Sequence, residues 1–163
     1  MSVELATAMK LGMRRLVSGV SVITALSPDG EKFAMTASSV TSLSPTPPSL
    51  LVCINREARL ASILAPGLGF AVNVLKSSHQ DIAQICSSGE QAGERFNHPL
   101  WRQDALGAPY VEDAEVVFQC EVAQLVTYGT HIVVIGNIHS VSVPNEDASP
   151  LLYAHGRYNR LGE

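Results

Sequence analysis

Charge is scarce in this chain: 16% of the residues are Asp, Glu, Lys or Arg, and the formal net charge is −4. An acidic balance without a basic run argues against nucleic acid as a partner, because phosphate backbones are gripped by clustered Lys and Arg. It also leaves no polybasic patch for a membrane surface. Cysteine is scarcer still. Cys53, Cys86 and Cys120 stand far apart with no C-x-x-C pair, which disfavours a zinc site and reads as reduced thiols in a cytoplasmic protein. The five histidines show no H-E-x-x-H spacing, so no catalytic metal is expected. Neither a Walker loop nor G-x-G-x-x-G occurs, so any nucleotide binds elsewhere than on a Rossmann unit. Ser-His-Asp and Cys-His signatures are missing too. Apolar runs such as "HIVVIG" fall far short of the ~20 residues that span a bilayer, and Met1–Leu16 does not read as a signal peptide.

What is plentiful is apolar residues, 46% of a 163-residue chain, which suits one domain over residues 1–163 with a sizeable core. So little charge also suggests that some apolar surface is covered by a second copy in a homodimer.

Periodicity orders the elements. Residues 4–18 carry Leu5, Met9, Met13, Leu16 and Val17 at helical spacing. "GVSVITAL" reads as a strand, followed by a turn at Asp29-Gly30 and an extended segment over 33–44 that forms a hairpin with it. "PPSLLVCIN" is the next strand, with Pro47 and Pro48 at its start, where no ladder donor is needed. A short helix over 57–65, a strand at 69–75 and a helix capped by Ser77 or Ser78 follow. Residues 89–110 read as a long functional or mobile loop. Two long strands meet at Gly129-Thr130, and two short ones flank His155-Gly156. Many strands with few interposed helices favour a mainly β fold, a β-barrel with helical decorations, over a doubly wound sheet.

The densest chemical signal is "TASSVTSLSPTPP". Seven of the eleven residues from Thr36 to Thr46 are Ser or Thr. On an extended strand alternate residues share a face, so Thr36, Ser38, Ser42 and Ser44 can point together toward a phosphate or polar ring edge. Ser and Thr are equally ordinary strand and turn residues, and the pattern alone leaves both readings open. Arg95-Phe96 pairs a cation with an aromatic plane in the long loop. His131 opens a strand beside a glycine turn, placed either to meet a ligand or simply to face solvent. His139 shares its parity unless Gly136 introduces a bulge.

These pieces occur in order through nearly the whole chain: "SGVSVIT", "DG", "TASSVTSLSPTPPSLLVCIN", "FAVNVL", "ERF", "GAP", "YGTHIVVIGNI" and "PLLYAHGRY". Together they resemble the flavin reductase-like family, whose members bind FMN or FAD on a Greek-key split β-barrel. The resemblance implies flavin contacts for Thr36, Ala37, Ser38, Ser39, Ser42 and Ser44, for Cys53, Ile54 and Asn55, and for Asn73. It implies flavin or nicotinamide neighbours in Arg95 and Phe96, a further contact in Tyr158, and a nicotinamide-docking, catalytic role for His131. NADH or NADPH would donate the hydride, a homodimer would hold the flavin near its interface, and reduced flavin would pass to an oxygenase component. Where the family commonly shows Gly-Asp-His, this chain has Gly129-Thr130-His131, which leaves the nicotinamide preference open. The alternative is a flavin-binding carrier or sensor with little NAD(P)H oxidation.

Overall fold

The computed structural model describes residues 2–104, 107–144 and 147–162. Ala105 and Leu106, inside the expected long loop, lie outside the described residues. Helix α1 (Val3–Met13) opens on Ser2, whose hydroxyl accepts from the Leu5 N–H at 3.3 Å, and it ends earlier than the expected 4–18. Strands β1 (Ser18–Gly19), β2 (Ser21–Leu26) and β3 (Lys32–Ala37) follow, β2 and β3 forming a hairpin that pairs Ser21 with Ala37 and Leu26 with Lys32. Gly30 takes the left-handed conformation in the turn, φ +84°.

The extended segment expected over 33–44 is two strands. The chain bends at Ser38–Val40, and β4 (Thr41–Pro45) pairs with β5 (Pro48–Asn55) instead of continuing beside β2. Pro48 opens β5, opposite Pro45, as the missing proline donor requires. Residues 59–63 form a 3-10 helix where an α-helix over 57–65 was expected. After β6 (Gly69–Val74), a 3-10 turn at Ser77–His79 leads into α2 (Gln80–Ser87). The serine cap expected there is replaced by a histidine contact: His79 Nδ1 accepts from the Lys76 N–H at 3.2 Å. The long loop carries a 3-10 turn at Ala92–Glu94 and a small hairpin, β7 (Trp101–Arg102) with β8 (Tyr110–Val111). Long strands β9 (Val116–Tyr128) and β10 (His131–Ser142) come next, then β11 (Leu152–Ala154) and β12 (Arg157–Asn159), turned at His155-Gly156 with both residues at positive φ.

The fold is mainly β. Seven antiparallel strands run in the order β3-β2-β6-β9-β10-β5-β4, beside a small sheet β1-β11-β12. Laid flat, six strand spacings of ~4.8 Å would part β3 from β4 by about 29 Å. The bend between them spans at most about 14 Å. The sheet therefore curls until its edges meet, and Ser38–Val40 is the seam.

Curling gives β2, β3 and β6 two buried faces. Ile23, Ala25, Phe33, Phe70 and Val72 point inward with Leu50, Val52, Ile54, Cys120, Val122 and Val134. Val22, Ala34 and Ala71 point outward, beneath Ile82, Ala83 and Cys86 of α2 and Phe96, Leu100, Trp101 and Tyr110 of the long loop. The expected loop is thus a packed cover.

Strand β10 changes register against β9 between Ile135 and Gly136 and again between Ile138 and Ser140. The second shift leaves His139 opposite no β9 residue, with its side chain 3.9 Å from Glu121. A Cβ at Gly136 would lie 2.4 Å from Phe70 Cζ and 2.8 Å from Cε1. The Phe70 ring is fully buried and cannot yield. Gly136→Ala is expected to cost about 1–3 kcal/mol through overpacking, read as a lower denaturation midpoint with an unchanged slope.

Candidate functional site

The seam opens onto a cleft of about 240 Å³ lined by Val20, Thr36, Ala37, Ser38, Ser87, Tyr153 and Tyr158. Four elements converge there: the end of β3, the end of α2, the bridge from β1 to β2, and the β11–β12 hairpin, which sets Tyr153 opposite Tyr158. The two rings meet edge-on with centroids 5.6 Å apart. Burial raises the Tyr158 phenol above its usual range, partly offset by a hydrogen bond with Ser87. The phenol is therefore neutral at physiological pH.

The hydroxyls of the Ser/Thr run divide by role. Thr36 donates to the Ala83 carbonyl at 2.6 Å and ties β3 to α2. Ser39 crosses the seam: its hydroxyl donates to the Cys53 carbonyl at 3.1 Å and accepts from the Cys53 N–H at 3.2 Å. Ser44 is spent within its own turn on Thr46. Ser38 and Ser42 are exposed, and their hydroxyls make no hydrogen bond among the described residues. At the bend, the N–H groups of Ser38, Ser39 and Val40 likewise have no intramolecular acceptor among those residues. Ser42 and Ser44 face β5 near the hairpin tip and do not line the cleft.

Arg95 sits behind the cleft. Its Nη1 donates to Ala34 O at 2.6 Å and its Nη2 to Ser88 O at 2.9 Å, while its own carbonyl accepts from the Trp101 indole at 2.7 Å. Only its buried Nε lacks a partner among the described residues. Arg95 pins the long loop to β3 and to the end of α2. Phe96 packs on Trp101 with centroids 4.9 Å apart. Burial pushes the nearby Cys86 thiol up to about 12, against the pull of Arg95, so it stays protonated.

A second opening, about 420 Å³, lies further along β5 and is lined by Asn55, Arg56, Glu57, Gly129 and Thr130. Asn55 pairs with His131 in the ladder, and Cys53 with Val133. His131 therefore lies two residues, roughly 7 Å, along from the Ser39 bridge. Gly129 holds φ +55° in the β9–β10 turn, and the Thr130 hydroxyl lies 2.8 Å from His131 Nδ1.

Two expected contacts are core residues. Ile54 is fully buried inside the barrel. Asn73 has no exposed surface, and all its polar atoms are engaged: the amide donates to Val22 O at 3.0 Å and Thr24 Oγ1 at 3.3 Å, and Oδ1 accepts from the Val111 N–H at 2.9 Å. Neither reaches the cleft: Asn73 sits on β6, which is buried on both faces, and Ile54 takes the inward-facing parity of β5, whose other face carries the half-buried Cys53. Sequence reasoning missed Val20, Ser87, Tyr153 and Arg56. Tyr153 had a signal, its symmetric spacing with Tyr158 about His155-Gly156. Ser87 had none, since only α2 packing brings it in.

Ser39→Ala removes both seam hydrogen bonds and is expected to destabilise the fold by about 1–2 kcal/mol. Ser38→Ala, with no bond to lose, is expected to stay within about 0.5 kcal/mol of wild type. Urea denaturation of the pair reads the difference.

Among the described residues, no group of three or more His, Cys, Asp or Glu is placed to hold a metal ion, and no helix is long and apolar enough to cross a membrane. The flavin reductase like domain model matches residues 13–162. FMN reductase (NADH) RutF 1 of Methylorubrum extorquens strain PA1 is 36% identical over 156 residues, 96% of this chain and 76% of that protein. Among solved structures, BorF, the flavin reductase component of a bacterial two-component tryptophan halogenase, superposes with a TM-score of 0.85 at 27% identity, over 97% of this chain and 99% of BorF. The styrene monooxygenase flavin reductase of Pseudomonas putida S12 gives 0.80 at 25% identity, over 93% and 96%. The seam, the hydroxyl-lined cleft and these likenesses agree, and the chain belongs to the flavin reductase-like family.

Proposed function

We propose that the protein is an NAD(P)H:flavin oxidoreductase that reduces FMN or FAD at the seam cleft and supplies reduced flavin to a partner oxygenase. The observation that supports this most directly is the seam itself. Ser38 lines the cleft with Tyr153 and Tyr158 and has an unspent hydroxyl, and the N–H groups of Ser38, Ser39 and Val40 at the adjoining bend are unspent as well.

That donor set fits a flavin, whose phosphate and ring carbonyls are acceptors and whose ring is flat and apolar on its faces. When bound, flavin supplies the hydride-accepting chemistry. The chain's own part is to bind and orient. The seam donors would hold ring oxygens or phosphate and stabilise negative charge that grows there. Tyr153, Tyr158 and Val20 would exclude water from one face. Asn55 and His131, just beyond the Ser39 bridge, would position the nicotinamide. Delivery to an oxygenase draws support from the styrene monooxygenase that one of these reductases is named for, and from the two-component tryptophan halogenase of which BorF is the flavin reductase component. The three free cysteines fit a cytoplasmic setting.

Anaerobic mixing with FMN or FAD followed by NADH or NADPH is expected to bleach the flavin far faster than nucleotide alone. Ser38→Leu should abolish flavin binding in a folded protein. His131→Ala should raise the nicotinamide KM roughly tenfold (about 1.4 kcal/mol), more than it changes flavin affinity. Flavin that binds but stays oxidised with both nucleotides would make the protein a carrier or sensor instead.

The site calls for a second copy. The cleft is smaller than the roughly 300–1,000 Å³ of typical ligand pockets. Leu5, Met9, Met13 and Leu16 of α1 and the turn after it are each more than half exposed. The accessible surface, 9,646 Å², exceeds the ~7,900 Å² expected of a monomer of this mass by an amount typical of an interface. Sedimentation should therefore give a dimer of the 17.4 kDa chain. Met9→Lys combined with Met13→Lys should yield monomers that bind flavin weakly, and a monomeric wild type would overturn the homodimer.

A further inference from the structure

Residues 5–28 and 148–162 contain no Asp or Glu, yet they hold Lys10, Arg14, Arg15, Arg157 and Arg160, five of the eleven Lys and Arg residues. A chain of net charge −4 thus gathers much of its positive charge in two acid-free segments and is strongly acidic elsewhere. The fold joins those segments. Strand β1 pairs with β11, setting Ser18 opposite Tyr153 and Gly19 opposite Leu152. The His155 N–H donates to the Arg14 carbonyl. The Arg14 side chain passes over the hairpin turn, its Cδ and Nε each 3.9 Å from where a Cβ on Gly156 would stand.

All five cations are exposed. Among the described residues none of them has a carboxylate within ion-pair distance, whereas Arg59, Lys76 and Arg102 are each held by one within 2.8 Å. Lys10 and Arg14 stand four apart on one face of α1 and its cap, where like charges repel. The C-terminal end of the helix offsets part of this repulsion through its dipole, and no carboxylate offsets the rest. An acidic surface brought against the patch would relieve it.

The patch adjoins the cleft. Tyr153 and Tyr158 form the cleft wall, and Arg157 immediately precedes Tyr158 on β12, so it faces away from the cleft at its rim. None of the five cations lines the cleft or the 420 Å³ opening. They make an open face spread over α1 and the β11–β12 hairpin, and no pocket for a single phosphate. A bilayer would draw on the apolar face of α1, which the dimer contact uses; an acidic protein face needs only the charges. We propose that Lys10, Arg14, Arg15, Arg157 and Arg160 form a docking surface for an acidic protein partner, seated at the mouth of the cleft where reduced flavin leaves. The inference rests on the reductase reading for the partner's purpose, but the docking can be tested without turnover.

The probe is a short oligoglutamate peptide, its binding read by calorimetry. Wild type is expected to bind it at low salt and to lose about tenfold in affinity between about 0.01 M and about 0.15 M ionic strength, as the screening length shortens. Arg14→Gln combined with Arg157→Gln and Arg160→Gln should weaken binding at least ~10-fold at low salt, while Arg59→Gln, outside the patch, stays within about twofold of wild type. Zero-length carbodiimide coupling maps the contact: of the three lysines Lys76 is buried, and the peptide should attach to Lys10 and not to the exposed Lys32. No binding by wild type at low salt, an affinity unchanged in the triple variant, or coupling chiefly at Lys32 would overturn the docking surface. Binding of phosphatidylserine vesicles without binding of the peptide would also overturn it and make the patch a membrane contact. A triple variant that loses FMN or NAD(P)H but keeps the peptide would assign the arginines to the nucleotides, and the proposal fails. Peptide docking by a protein that reduces no flavin would uphold the surface and sink the reductase reading alone; rapid flavin reduction without peptide binding would do the reverse.

Discussion

Three residues join the two edges of a seven-stranded sheet, and most of the molecule follows from that shortness. Ser38–Val40 cannot bridge a flat sheet of this width. The sheet must curl, and curling buries β2, β3 and β6 on both faces. Ser39 fastens the closure by bonding both polar groups of the Cys53 backbone. One small hydroxyl thus does for the seam what a ladder would do for an ordinary strand pair, and it leaves the adjoining N–H groups unspent. A closed β-sheet normally consumes its backbone donors. Here the place where closure is incomplete is the place where a ligand can be received.

The cover over the outer face is held by polar clamps as much as by apolar contact. Asn73 joins β8 to the sheet through the Val111 N–H and is itself held by Val22 and Thr24 of β2, Thr36 ties β3 to α2, and Arg95 fastens the long loop to both. Each clamp is buried or half-buried, where losing one partner strands another polar group and costs more than the bond's net worth. The cleft walls Ser87, Tyr153 and Tyr158 come from elements that these clamps and the small sheet set in place. Site geometry and fold stability therefore depend on the same side chains behind the cleft.

The available side-chain chemistry changes along β5. The seam end offers uncharged donors and an aromatic wall, suited to a polar-edged flat ring. The far end, two residues on, offers His131 and Asn55. Groups suited to two different ligands thus lie a few residues apart, the arrangement that transfer between two bound molecules would need.

Hydrophobic periodicity, turn chemistry and the ordered motifs were enough to determine a mainly β chain, its hairpins at Asp29-Gly30, Gly129-Thr130 and His155-Gly156, and its family, because these are local signals written in neighbouring residues. The Ser/Thr run pointed to the segment that forms the seam for the same reason. Which hydroxyl is free and which is structural was not legible. Thr36 is spent on Ala83 and Ser39 on Cys53, partners 47 and 14 residues away that only closure of the sheet brings near. Asn73 and Ile54 read as site residues because their motifs adjoin the site, yet two-sided burial of β6 made Asn73 core and the inward parity of β5 did the same for Ile54. The cations of α1 and the β11–β12 hairpin carried no motif; the pairing of β1 with β11 is what brings them together. Local sequence set the strands, and the partner of every polar side chain was settled by long-range packing, since a hydrogen bond depends on distances that no stretch of chain controls alone.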